Sequence, residues 1–225
     1  MKIMMGSVLG DFLRILFTVF IVMDPIGVIP QFLSVTADKD IKTRKTIIFK
    51  AVLIAGLVLL VFLLAGKLLL QFFGIMPGAF YISGGALFFV IAFGMIYSKP
   101  RTLRDTPPAK PGIAAVVEES EDRSPVSVAV FPLAIPLIAG PGLLTVIIMF
   151  VSHGESWLYS VGILLPAIII NLFIAYVTLR CSLLLLRFLG SMGIFIIEKI
   201  MGLILAGFAV QFIYDGLLSL GIIPS

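Results

Sequence analysis

The sequence predicts an all-α integral membrane protein of about six transmembrane helices, built as two inverted three-helix repeats. The first and fourth helices are expected to be broken at Pro/Gly motifs. Composition is the first observation behind this. Of 225 residues, 60% are hydrophobic and only 12% charged, and the mean hydropathy is +1.21; a soluble domain carries roughly twice that charge fraction. The second is the length of the charge-free runs, 68–98, 124–154 and 156–179, when about 20 apolar residues suffice to cross a bilayer. The third is internal similarity between the two halves of the chain.

Apolar stretches place the spans at roughly 10–35, 47–69, 79–97, 126–151, 158–179 and 195–218. The loops between them alternate in charge. Lys39, Lys42, Arg44 and Lys45 follow the first span; QFFGIMPG after the second has no charge. Lys99, Arg101, Arg104, Lys110 and Arg123 follow the third; SHGESW after the fourth has no Lys or Arg; Arg180 and Arg187 follow the fifth. Eleven of the 16 basic residues (4 + 5 + 2) thus fall on one side, which the positive-inside rule makes cytoplasmic. Both termini are then predicted outside. No small-residue cleavage site follows the first apolar stretch, so it is not expected to be a signal peptide.

Segment 99–125 holds ten of the 28 charged residues (16 basic and 12 acidic) together with Pro107, Pro108 and Pro111. It is predicted to be a flexible cytoplasmic linker. Residues 1–98 then form the first three-helix repeat and 126–225 the second, inverted one, together making one membrane domain. The repeat is visible at a shift of 116, which lays LLLQFFGIM (68–76) on LLLRFLGSM (184–192) with six identities in nine, and Pro25 on Pro141. A shift of 117 aligns Gly85, Ala92, Ile96 and Tyr97 with Gly202, Ala209, Ile213 and Tyr214. Three spans per half turn the second half upside down, an arrangement that recurs in secondary transporters and is shared by some channels.

MDPIGVIP (23–30) and IAGPGLLT (138–145) carry the functional expectation. Asp24 is predicted as an N-cap with Pro25 as first helical residue, and Gly140 and Pro141 take the same places in the second half. A restarted helix presents unpaired N–H groups and the positive end of its dipole, which attract a carboxylate or phosphate. Asp24 supplies a carboxylate where Gly140 supplies none. One cationic and one anionic subsite suit a zwitterion such as an amino acid. Kinking and close packing are the alternative use of the same residues. Gln31, Ser34, Thr36 and Thr145 follow the breaks; Asn171 sits mid-span, where lining a cavity and bonding another helix are both open. Gly84, Gly85, Gly202 and Gly207 read as packing residues, and Lys199 as a snorkelling interfacial lysine.

Several classes are excluded. Cys181 and His153 are the only residues of their types, so neither a disulfide nor a Cys/His metal set is expected. No G-x-S-x-G, H-E-x-x-H or P-loop pattern is present, so the chain is read as neither an enzyme nor an ATP-driven pump. No cofactor is expected. Energy would come from a gradient, with Na+ or H+ as coupling ion. The basic residues flank spans and do not point to nucleic acid.

DPIGVIPQFLSVT (24–36), ISGGALFFVIAFGMI (82–96), FPLAIPLIAGPGLLT (131–145) and MGLILAGFAVQFIYDG (201–216) together resemble the MarC family of six-span bacterial and archaeal membrane proteins. The resemblance covers nearly the whole chain. It implies the plasma (inner) membrane, the lipid bilayer and a small neutral amino acid such as alanine or glycine as partners, and leaves a homo-oligomer open. One side of the substrate site would comprise Asp24, Pro25, Gly27, Pro30 and Gln31, and the other Gly140, Pro141, Gly142, Thr145 and Asn171. The family pattern often has Asn where this chain has Val28. An exporter of drugs or other small metabolites, or a membrane protein that transports nothing, would share this architecture.

Overall fold

In a computed structural model of the chain, residues 8–97, 125–153 and 157–223 are described; the linker predicted over 99–125 lies outside them apart from Pro125. The helices are α1 (Val8–Met23), α2 (Val28–Val35), α3 (Ile41–Phe72), α4 (Pro77–Tyr97), a single turn α5 (Pro125–Val128), a π-helical segment (Ala129–Ile138), α6 (Pro141–His153), α7 (Trp157–Arg180) and α8 (Ser182–Ser219). Among the described residues, α3, α4, α7 and α8 are each long and apolar enough to cross a membrane, and α1 with α2 passes the same test as a pair bent by 42°, which is a broken span or a re-entrant loop. The predicted span 126–151 is divided between the π-helical segment and α6.

Apolar side chains lie both inside and outside, as expected where the solvent is lipid. Phe32, Phe88, Leu59, Leu133, Ile147 and Leu164 are fully buried, while Phe17, Leu57, Phe93 and Leu203 face outward. The 32 residues of α3 extend about 48 Å at 1.5 Å per residue, well beyond a hydrocarbon core of about 30 Å. Its first turns therefore stand clear of the core and carry Lys42, Arg44 and Lys45. Asp40 caps this end: its carboxylate accepts from the N–H groups of Lys42 (3.2 Å) and Thr43 (3.3 Å). Hydrogen bonding, led by the Thr43 side chain, holds the Asp40 carboxyl below the usual carboxylate range. Arg44 closes the preceding loop by donating to the carbonyls of Thr36, Lys39 and Ala37, which satisfies carbonyls just past the end of α2.

The largest helix contact joins α4 to α8. Small residues set it. A Cβ placed on Gly85 would stand 2.7 Å from the carbonyl oxygen of Ala209, and one on Gly202 would stand 3.3 Å from that of Ala92. Under the 117-residue shift Gly85 maps to Gly202 and Ala92 to Ala209, so each contact is the image of the other. Gly207, read from sequence as a packing residue, instead faces open space; the helix turns it away from α4. Lys199 also belongs to this contact. Its ammonium donates to the carbonyls of Met95 (2.8 Å) and Ile96 (2.6 Å) and lies 4.4 Å from the Phe195 ring centroid. A cation on the last carbonyls of α4 complements that helix's dipole, so Lys199 ties two helices together where the sequence predicted snorkelling.

The stretch α8 is two helices that meet at Gly190, whose backbone is left-handed and non-helical (φ 68°, ψ 171°); the predicted span 195–218 lies within the second. Gly74, the counterpart of Gly190 at the 116-residue shift, is also left-handed (φ 66°).

Candidate functional site: two interrupted helices

The first interruption is dictated residue by residue. The Asp24 N–H closes α1 on the Phe20 carbonyl (3.0 Å), and Pro25, lacking an N–H, cannot continue the ladder. Asp24 takes a left-handed backbone (φ 43°), a conformation that Asp tolerates better than most residues. Its side chain then turns back, so that Oδ1 accepts from the Gly27 N–H at 3.1 Å. Glycine at position 27 leaves room for this carboxylate, which an added Cβ would displace. Helix α2 begins at Val28 with Gly27 at its N-cap. The restart therefore comes three residues later than the sequence predicted, with Asp24 capping from the turn before the helix rather than from its first position. Pro25 is buried; Asp24, Gly27, Pro30 and Gln31 are half-buried.

The second interruption starts as a widened helix. Pro132 and Pro136 lack the N–H groups that an α-helical ladder would need, and the Ala139 N–H reaches back five residues to the Ala134 carbonyl (2.9 Å). The chain then breaks at Gly140, and α6 starts at Pro141, as predicted. The Gly140 carbonyl accepts from both Leu143 (3.0 Å) and Leu144 (3.1 Å). Gly142 is buried, and a Cβ there would meet the Phe88 ring at 2.6 Å and Val22 at 3.5 Å. The start of α6 is thus seated on Phe88 of α4 and against the last turn of α1. Gly142, two residues past the second break, thus lies against Val22, two residues before the first. On the other side, α8 touches α2 directly.

Two other predicted residues have partners inside the protein. The Thr145 hydroxyl donates to the Pro141 carbonyl at 2.9 Å, and its methyl group packs against Gly84. Asn171 of α7 is fully buried; its Nδ2 donates to Leu16 of α1 (3.1 Å) and to Ala167 (2.8 Å). Leu16 is eight residues before Asp24, about 12 Å along α1. Asn171 therefore bonds helix to helix at a distance from the breaks, and its Oδ1 is buried without a hydrogen-bond partner. Thr36 likewise donates within its own turn, to Phe32 (2.7 Å). Phe88 was not singled out in the sequence. A phenylalanine in an apolar helix has no local mark, and its place against Gly142 follows from how α4 packs. Among the described residues, no group of three or more His, Cys, Asp or Glu could hold a metal ion.

Known proteins resemble this chain over most of its length. The family model described as "MarC family integral membrane protein" matches residues 9–220. The "UPF0056 inner membrane protein YhgN" of Escherichia coli (strain K12) is 36% identical over 197 residues, covering 88% of this chain and 91% of that protein. The "UPF0056 membrane protein MJ1677" of Methanocaldococcus jannaschii is 34% identical over 200 residues, covering 89% and 92%. The "UPF0056 membrane protein BU449" of Buchnera aphidicola is 32% identical over 197 residues, covering 88% and 91%. No solved structure matches the chain significantly.

Proposed function

The chain belongs to the MarC family of integral membrane proteins, and from that premise we propose that it is a secondary transporter of small neutral amino acids in the plasma membrane. Substrate binds near the midplane, between the interruptions at 24–27 and 139–140. The observation that carries this reading is the packing of Gly142, just past one interruption, against Phe88 and against Val22, just before the other. Discontinuous helices whose broken ends converge are a recurring way to build a transporter site. The Gly142 N–H, at the positive end of the α6 dipole, receives the substrate carboxylate, and the Asp24 carboxylate receives its ammonium or a coupling Na+ or H+.

The same reading takes the chain as six spans in two inverted halves, with the broken pairs α1–α2 and π-segment–α6 as equivalent first spans. Two findings support it: the reciprocal Gly85–Ala209 and Gly202–Ala92 contacts, and the matching left-handed glycines at 74 and 190. Crossing an odd number of times per half lets the halves rock against each other around a fixed site.

The test is uptake of labelled alanine and glycine into proteoliposomes under imposed sodium and proton gradients. Gradient-driven accumulation that is lost in a folded Asp24→Asn variant is expected. Accumulation unchanged by Asp24→Asn would remove Asp24 from the site. No accumulation with either gradient in either direction would contradict amino acid transport.

A further inference from the structure

Helices α3 and α7 approach closely at Gly56, where a Cβ would stand 3.1 Å from Leu172. Between them is an apolar groove of about 530 Å³, lined by Phe49, Leu53 and Gly56 on α3 and by Leu172, Phe173 and Tyr176 on α7. Phe49, Leu53 and Phe173 are exposed, so the groove opens on the outer, lipid-facing surface, remote from the helix breaks. Two cations stand beyond its end. Lys45 lies one helical turn before Phe49 on the same face of α3, and Arg180 lies one turn after Tyr176 on the same face of α7. Both are exposed, and the Arg180 guanidinium sits 5.6 Å above the Tyr176 ring centroid.

The depth fits one leaflet. Eleven residues of α3 separate Gly56 from Lys45, about 16 Å, and eight residues of α7 separate Leu172 from Arg180, about 12 Å. Half of a hydrocarbon core is about 15 Å. Gly56 and Leu172 are also equivalent positions at the 116-residue shift, which sets their contact at the level where the two halves of the chain are related. The groove therefore reaches from mid-membrane to one surface and ends under paired positive charge. A volume within the range of about 300–1,000 Å³ typical of small-ligand sites can hold a chain rather than a single methyl group.

We propose that this groove is a site for one anionic phospholipid of the leaflet on the basic side: an acyl chain lies between Phe49, Leu53 and Phe173, and the phosphate is held by Lys45 and Arg180. Binding of this kind draws on apolar burial and on attraction between phosphate and juxtamembrane cations. The inference is independent of the transported substrate.

The test is native mass spectrometry of the full-length protein in detergent, titrated with phosphatidylglycerol, with phosphatidylcholine of the same chains, and with glycerol phosphate. One phosphatidylglycerol is expected to be retained in preference to phosphatidylcholine. Each of Lys45→Gln and Arg180→Gln should weaken retention about fivefold. Leu53→Trp, which adds bulk at an exposed position within the groove, should weaken it without changing helix content. Equal retention of both lipids by all variants would overturn the proposal in favour of ordinary annular lipid. Glycerol phosphate competing as well as the whole lipid would overturn the role of the groove. A monomer–dimer shift in Leu53→Trp with lipid retention unchanged would assign the groove to a second copy of the chain and also overturn it.

Discussion

Asp24 holds a left-handed backbone that costs most L-residues about 1–2 kcal/mol, and it does so beside a proline and under the N–H of Gly27. Asn keeps both the tolerance of that backbone and the capping oxygen, so Asp24→Asn should fold with a melting temperature near wild type while losing the charge. Asp24→Ala loses the cap as well, at about 1 kcal/mol, and should melt measurably lower. Thermal melting in detergent separates the two; equal melting of all three proteins would mean that the cap contributes nothing. Asn171 behaves differently, because its amide joins α7 to α1. Asn171→Leu should destabilise by about 0.6 kcal/mol, the average for intramembrane hydrogen bonds, and leave transport intact. A loss of uptake without loss of stability would move Asn171 into the site. Both helix breaks were legible in the sequence, since Pro and Gly bring their backbone constraints with them. The contacts of Asn171 with Leu16 and of Lys199 with α4 were not, because those accepting carbonyls lie more than 100 residues away in the chain.

Among the elements, the α4–α8 pair makes the largest helix contact, and Lys199 fastens its edge. Lys199→Met keeps the apolar stem but leaves the Met95 and Ile96 carbonyls without that donor, at a cost of about 1–3 kcal/mol where water is scarce. Arginine at 199 can donate to the same carbonyls and should restore part of the loss; failure of both variants to alter thermal stability would show that the contact is dispensable. Gly85→Leu should be worse, since no side chain fits between the two backbones, and the expected outcome is loss of monodisperse protein on size exclusion. Apolar runs placed these helices in the sequence but not their ends. α3 continues to Phe72, because its leucine- and phenylalanine-rich turns carry the helix on past the predicted end. The π-helical segment was announced only as two prolines, which signal an irregularity without specifying a wider turn over a kink.

For the whole molecule, composition alone was enough to specify a membrane protein, and motif order was enough to specify the family. The packing around the second break is tertiary: Val22, Phe88 and Gly142 lie on three different helices, and their contact depends on how α1, α4 and α6 pack. The central claim is that the two interruptions enclose one substrate site. It is tested most directly by placing single cysteines at Ile26 and Leu144, both half-buried, in a Cys181→Ser background. Labelling with a membrane-impermeant maleimide is then followed with and without alanine. The account predicts that both positions label and that alanine protects both at the same concentration. Labelling at either position that is indifferent to alanine and glycine would contradict a shared site.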